Sequence, residues 1–199
     1  MENERHFKLT DERLAYDGTI LRRIQATKDL PYHKVRKGDL GGWVECYGNL
    51  QDNAWVFDNA KVYQKAVVSG HAFLTDYACV CGNACVYNGA IIRHNASVYD
   101  YARVFGNAVI SDSARVYGRT FVRGSAEVSG KAQVFEDSAV RDFARIYGRA
   151  KLSGQASMND NTCVCDDAVV SGNTQLYGRT YIYKSATISV DILTGGQYC

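Results

Sequence analysis

From Asn53 to Val190 the chain divides into consecutive hexads without remainder, and the fourth position of all 23 is Val, Ile, Leu or Met. The second position is Ala in 18 of them and Thr or Ser in the other five. Val44 and Leu50, with Gly42 and Gly48 before them, extend the frame to 25 hexads. A fixed short period restricts the fold more than any bulk property of the chain.

A β-strand alternates its faces, so the aliphatic residue of each hexad points one way and its two neighbours point the other. The small residue two places earlier shares the aliphatic side, at the point where the chain turns. The last position is mostly Gly, Asp or Asn, which tolerate the positive φ of a tight corner. Each hexad is then one short strand and one corner. Three corners close an eighteen-residue turn, and successive turns stack by parallel pairing about 4.8 Å apart. The expected fold class is therefore all-β: a single-stranded parallel β-helix, a triangular prism of about eight coils over residues 42–189. Inside it, Val62, Val80, Val98, Val116 and Val134 should stack eighteen residues apart.

Residues 1–41 lie outside the frame. KLTDERLAYDGTILRRIQA reads as a hairpin with Tyr16-Asp17-Gly18 at its turn, and such a hairpin would cap the open sheet edge at the first coil. The glycines of KGDLGG are expected to form the bend into that coil. Residues 190–199 read as the opposite cap or a tail.

At 199 residues there is room for one domain and small caps. The net charge of +2 creates no general attraction to nucleic acid or membrane. No apolar stretch resembles a signal peptide or a bilayer span, and the seven cysteines are an odd number. Together these favour reduced thiols and a cytoplasmic protein.

The pattern of aliphatic, two variable, then small residues resembles the hexapeptide-repeat left-handed β-helix proteins. The left hand is implied by that resemblance alone, since parallel crossovers are otherwise nearly always right-handed. The units ARVFGNAV, ARVYGRT and ARIYGRA, with LRRIQATKDL and VRKGDLGGWVE before the coils, look like the YdcK-like proteins and similar phage-borne chains. Hexapeptide-repeat proteins are commonly trimers, so the resemblance implies a homo-oligomer. Some are acyltransferases that use a histidine as general base beside an acyl carrier, which would make acetyl-coenzyme A or another acyl donor the cofactor. No cofactor is expected otherwise.

Outward side chains should form three faces. The third begins with Trp55, Phe57, Phe73, Ile91 and Val109, an apolar run that suits an interface. It would be covered by a second copy or by the N-terminal hairpin folding back. The second face carries Arg103, Phe105, Phe121, Arg123 and Arg141, a combination able to hold a small anionic ligand by charge and stacking. Arginines on a strand face are also ordinary solvated residues. Of the four histidines, His94 and then His71 suit a general base, because both fall at corners and His94 shares a column with Asp58, Asp76 and Asp112. Asp, Asn and His are equally ordinary corner residues. A transferase of this class usually interrupts its coils with a loop that builds the substrate pocket, and no hexad here is interrupted.

Cys79-Val80-Cys81 and Cys163-Val164-Cys165 each place two thiols on one outer face, but on different faces, so the pairs cannot share a metal ion. The reading favoured by the residues is a non-enzymatic structural or binding module, whose partner is another protein or a small anion. An acyltransferase and a phage-associated anion-sequestering protein are the alternatives.

Overall fold

A computed structural model describes residues 5–199. The chain is an all-β parallel β-solenoid of about nine turns, with no α-helix among the described residues. Most strands in the coils are two residues long, as at Arg103–Val104 and Phe121–Val122. Each pairs in parallel with the strand eighteen residues away: Val98 lies between Val80 and Val116, and Ile92 between Leu74 and Ile110. The ladder is closed by bonds such as Val109 N–H to the Ala126 carbonyl at 3.0 Å and Ser111 N–H to that of Val128 at 2.9 Å. The aliphatic positions from Val44 to Ile182 are buried, and Ile188 at the last coil is half-buried.

The corner residues adopt the left-handed conformation that the hexad requires, for example Asp76 at φ 60°, His94 at 58° and Asp112 at 60°. Their carboxylates have a second task. Asp112 Oδ2 accepts the Gly130 backbone N–H at 2.9 Å, and Asp76 Oδ2 accepts that of His94 at 2.9 Å. Asp160 does the same for Gly178 at 2.8 Å. A corner acid thus satisfies a backbone donor one coil on, which the two-residue strands leave outside the ladder.

At the N-terminal end, β1 (Phe7–Tyr16) and β2 (Thr19–Ala26) form an antiparallel hairpin turned by Asp17 and Gly18, both at positive φ. β2 pairs antiparallel with β3 (Leu40–Val44), the first strand of the first face. Within KGDLGG only Gly38 has a positive φ. Gly41 and Gly42 serve close packing instead of a corner. A Cβ on Gly41 would sit 2.6 Å from the Val56 carbonyl oxygen, and one on Gly42 would sit 2.6 Å from that of Ala60. In the first coil the second face lacks a regular strand, and the Asn49 side chain replaces part of the ladder by donating to the carbonyls of Gln64 and Ala66. At the other end, Ile192–Tyr198 pairs in parallel with Gln175–Ile182, so the tail continues the solenoid over two faces. Its offset falls from seventeen residues at Gln175 to sixteen at Ile182, against eighteen in the coils.

Candidate functional site

The positions on either side of each buried aliphatic residue face outward, and on the second face they make two adjacent columns. One runs Cys85, Arg103, Phe121, Ala139, Ser157, each paired in register with the next. The other, two residues on, runs Tyr87, Phe105, Arg123, Arg141, Asn159. The five residues named from the sequence therefore occupy one face of three successive coils. The Arg103 guanidinium lies 5.9 Å from the centre of the Phe121 ring. Phe105 stacks on Tyr87 with ring centres 4.8 Å apart and planes inclined by 4°. Phe121 is 40% exposed and is the open ring of the group.

The arginines of the coils divide into paired and unpaired groups. Arg119 and Arg149 each hold a carboxylate one coil on, Asp137 and Asp167, with two hydrogen bonds apiece, and Arg145 lies 3.6 Å from Glu127. Among the described residues, Arg103, Arg123 and Arg141 form no ion pair, and neither do Arg93, Arg115 and Arg179 elsewhere on the coils. Arg141 donates only to the Asn159 amide oxygen, at 3.4 Å. Three outward residues of the same face, Ala139, Ser157 and Asn159, are buried, and Asn159 donates to the Ser157 hydroxyl at 3.2 Å. Neighbouring side chains therefore cover these three outward positions. The hexad frame marks them only as outward, so their burial is not legible in it. The one signal in the sequence is the run of small residues in a column that elsewhere carries Arg and Phe.

The third face corrects one expectation. Trp55, expected on an exposed interface, has 0% of its surface exposed. It is covered within the chain: the His6 ring lies 6.3 Å from it, and His6 Nε2 bonds the Ala54 carbonyl at 2.9 Å. Phe57 and Phe73 lie edge-on to each other at 5.9 Å, with the His33 ring 6.4 and 5.6 Å from them. Residues 5–7 and 30–33 provide this cover, while the hairpin tip sits elsewhere, over the first face. Ile91 and Val109 continue the strip and are half-buried.

His94 Nδ1 lies 3.0 Å from Asp112 Oδ1, so the column does bring a carboxylate to it, at a half-exposed corner. His71 lies instead against the N-terminal segment, its ring 4.6 Å from that of Tyr32 and 6.4 Å from that of His33. Burial holds both His6 and His33 below the usual imidazole range. A groove of about 1040 Å³ opens at the capped end between Arg5, Lys28, Lys37, Tyr47 and Asp52, with the Arg5 guanidinium 4.4 Å from the Tyr47 ring centre. Neither catalytic candidate lines it. Among the described residues, no group of three or more His, Cys, Asp or Glu could hold a metal ion. Among the described residues, no helix is long and apolar enough to cross a membrane.

A family model described as the YdcK β-solenoid repeat matches residues 102–118. That segment runs from Ala102 through Arg103 and Phe105 to the Gly118 corner, a little less than one coil. It identifies the repeat type and agrees with the stacked coils. No curated protein matches the chain.

Proposed function

We propose that the protein is a non-enzymatic binding module whose second face holds a small anionic ligand carrying a planar ring. The observation that supports this reading is the gathering of three guanidinium groups without carboxylates, Arg103, Arg123 and Arg141, on one face beside the exposed Phe121 ring. Unpaired guanidinium groups on a stiff sheet present donors whose fork matches phosphate or carboxylate. Phe121 offers the exposed ring on which a base would rest. Phe105 supports the site from behind, because Tyr87 already stacks on it. Stacked parallel coils also keep such an array stiff, which lowers the ordering cost of binding.

The test is a thermal-shift screen with nucleotides, cyclic dinucleotides and short oligonucleotides, followed by titration of any ligand found. Losing one charge-assisted contact should weaken binding by roughly ten- to a hundredfold. Arg123→Ala and Arg141→Ala should each show that loss, and Arg145→Ala, on the third face, should not. A ligand indifferent to Arg103, Arg123 and Arg141 alike would end this reading.

The His94–Asp112 contact favours a second reading, an acyltransferase with His94 as general base and acetyl-coenzyme A as donor. Calorimetry with acetyl-coenzyme A decides it. Affinity lost in His94→Ala and kept in Arg123→Ala would favour the enzyme, whereas affinity lost in Arg123→Ala and kept in His94→Ala would favour the binding module. Self-association through Trp55 is not part of either reading, because that side chain is already buried within its own chain.

A further inference from the structure

The groove at the capped end gathers cations of its own. It opens where the first coil carries a turn, Tyr47–Asn49, in place of a second-face strand. Its walls come from three separate stretches of chain: residues 5–7, residues 27, 28 and 37, and residues 47–52. Local bonds bring these stretches together. The Asp29 carboxylate accepts the Lys37 backbone N–H at 2.7 Å, which closes residues 29–37 into a loop and sets Lys28 and Lys37 against the same space. Thr27 N–H donates to the His6 carbonyl at 3.0 Å, and the Thr27 hydroxyl donates to that of Arg5. The Arg5 guanidinium then lies 4.4 Å from the Tyr47 ring centre, and the Phe7 ring centre 5.5 Å from it.

The charges around this space do not cancel. Arg5, Lys28 and Lys37 line it and, among the described residues, form no ion pair. Asp52 is the one carboxylate among the lining residues, and its Oδ2 already accepts the Gly70 backbone N–H at 3.0 Å. Nearby, Asp29 and Asp39 likewise hold backbone N–H groups, those of Lys37 and Arg36.

We propose that this groove binds a compact polyanion, a small molecule bearing two or more phosphate or carboxylate charges, held by Arg5, Lys28 and Lys37. Three cations less one carboxylate leave two positive charges in excess, which such an anion neutralises. The arginine supplies a fork of donors, and the two lysines supply point charges on flexible stems that adapt to the anion. Tyr47 is covered by Arg5 and flanked by Phe7, so no ring is open for stacking and the ligand needs no planar group. In this it differs from the ligand proposed for Phe121. The two places are also far apart: Gln51 stands four coils before Arg123 in one column, about 19 Å along the axis. Because its walls belong to both the cap and the first coil, a bound anion also fastens one to the other.

The experiment titrates the full chain with pyrophosphate and, separately, with citrate at low ionic strength, following backbone amide shifts by NMR. At least one of the two should saturate at about 1 mM or below. The amides of residues 27, 28, 37 and 47–52 should move, and those of Arg123 and Arg141 should not. The tighter anion tells phosphate from carboxylate. The double change Lys28→Gln, Lys37→Gln should weaken binding roughly fivefold or more, added salt should weaken it further, and Arg123→Ala should leave it unchanged. Saturation by neither anion would overturn the proposal. So would shifts centred on Arg103, Arg123 and Arg141, or an affinity indifferent to the loss of both lysines.

Discussion

The coils and the N-terminal segment bury their residues by different rules. In the coils, Val98 meets Val80 and Val116 because each is eighteen residues away, and the same relation recurs along every face. Between residues 5 and 41, contacts are individual and distant in sequence: His6 to the Ala54 carbonyl, His33 Nε2 to the Asn53 carbonyl at 2.8 Å, Asp17 to Tyr63. A coil contact depends on count and has many equivalents. A contact of the N-terminal segment depends on one residue and has none. Damage to the coils should therefore follow the frame, and damage to the cap should follow residue identity.

The strongest way to break this contrast is insertion. One extra residue between Val122 and Val128 forces side chains in that coil off the inward face or bulges its ladder, and should cost roughly 4 kcal/mol or more. An eighteen-residue insertion in frame adds a coil and should leave the melting temperature within a few degrees. Equal losses in the two proteins would mean that the count does not organise the core.

Trp55 sharpens the comparison from the side of the cap. Trp55→Ala should cost about 3–5 kcal/mol in denaturant unfolding, because a fully buried ring leaves a cavity beneath His6. Phe121→Ala, an exposed ring on the coils, should cost about 0.5 kcal/mol. A Trp55→Ala chain that keeps its stability and only changes its oligomeric state would contradict the intrachain cover.

The smallest expected effect is on pH. His6 and His33 lie below the ordinary value of 6.5 because burial disfavours the imidazolium, and Lys28 lowers His6 further while Asp52 opposes it. The folded cap therefore binds protons less readily than the unfolded chain. Its stability is complete above that ordinary value and is lost progressively as pH falls below it. Hydrogen-exchange protection at residues 5–7 and 30–33, taken relative to the intrinsic exchange rate at each pH, should fall between about pH 7.5 and about pH 5.5, with no matching fall at Val104 or Val122. The double change His6→Gln, His33→Gln should flatten the dependence. An equal fall in the coils would place its cause outside these two rings.

How far the candidate site could be read from the sequence follows from the same contrast. That Arg103, Phe105, Phe121, Arg123 and Arg141 share one face follows from position in the hexad. That Arg103 leans on Phe121, that Phe105 is taken by Tyr87, and that Arg123 has no carboxylate do not, because side chains choose among neighbours in the adjacent column and on adjacent coils. The corner acids were legible as residues tolerant of positive φ. Their bonds to the N–H groups one coil on required the stacked coils to be seen.

The sequence by itself determined which side chains point inward from Val44 to Ile188, where the corners fall, and which residues stack. A strand's alternation and a fixed count leave no other register in which every aliphatic residue is buried. Only the tertiary structure decided what covers Trp55, why Gly41 and Gly42 must lack side chains, and how the tail pairs with Gln175–Ile182. These segments have no repeat to relay their position. Their placement rests on shape and hydrogen bonding between parts of the chain that no local period connects.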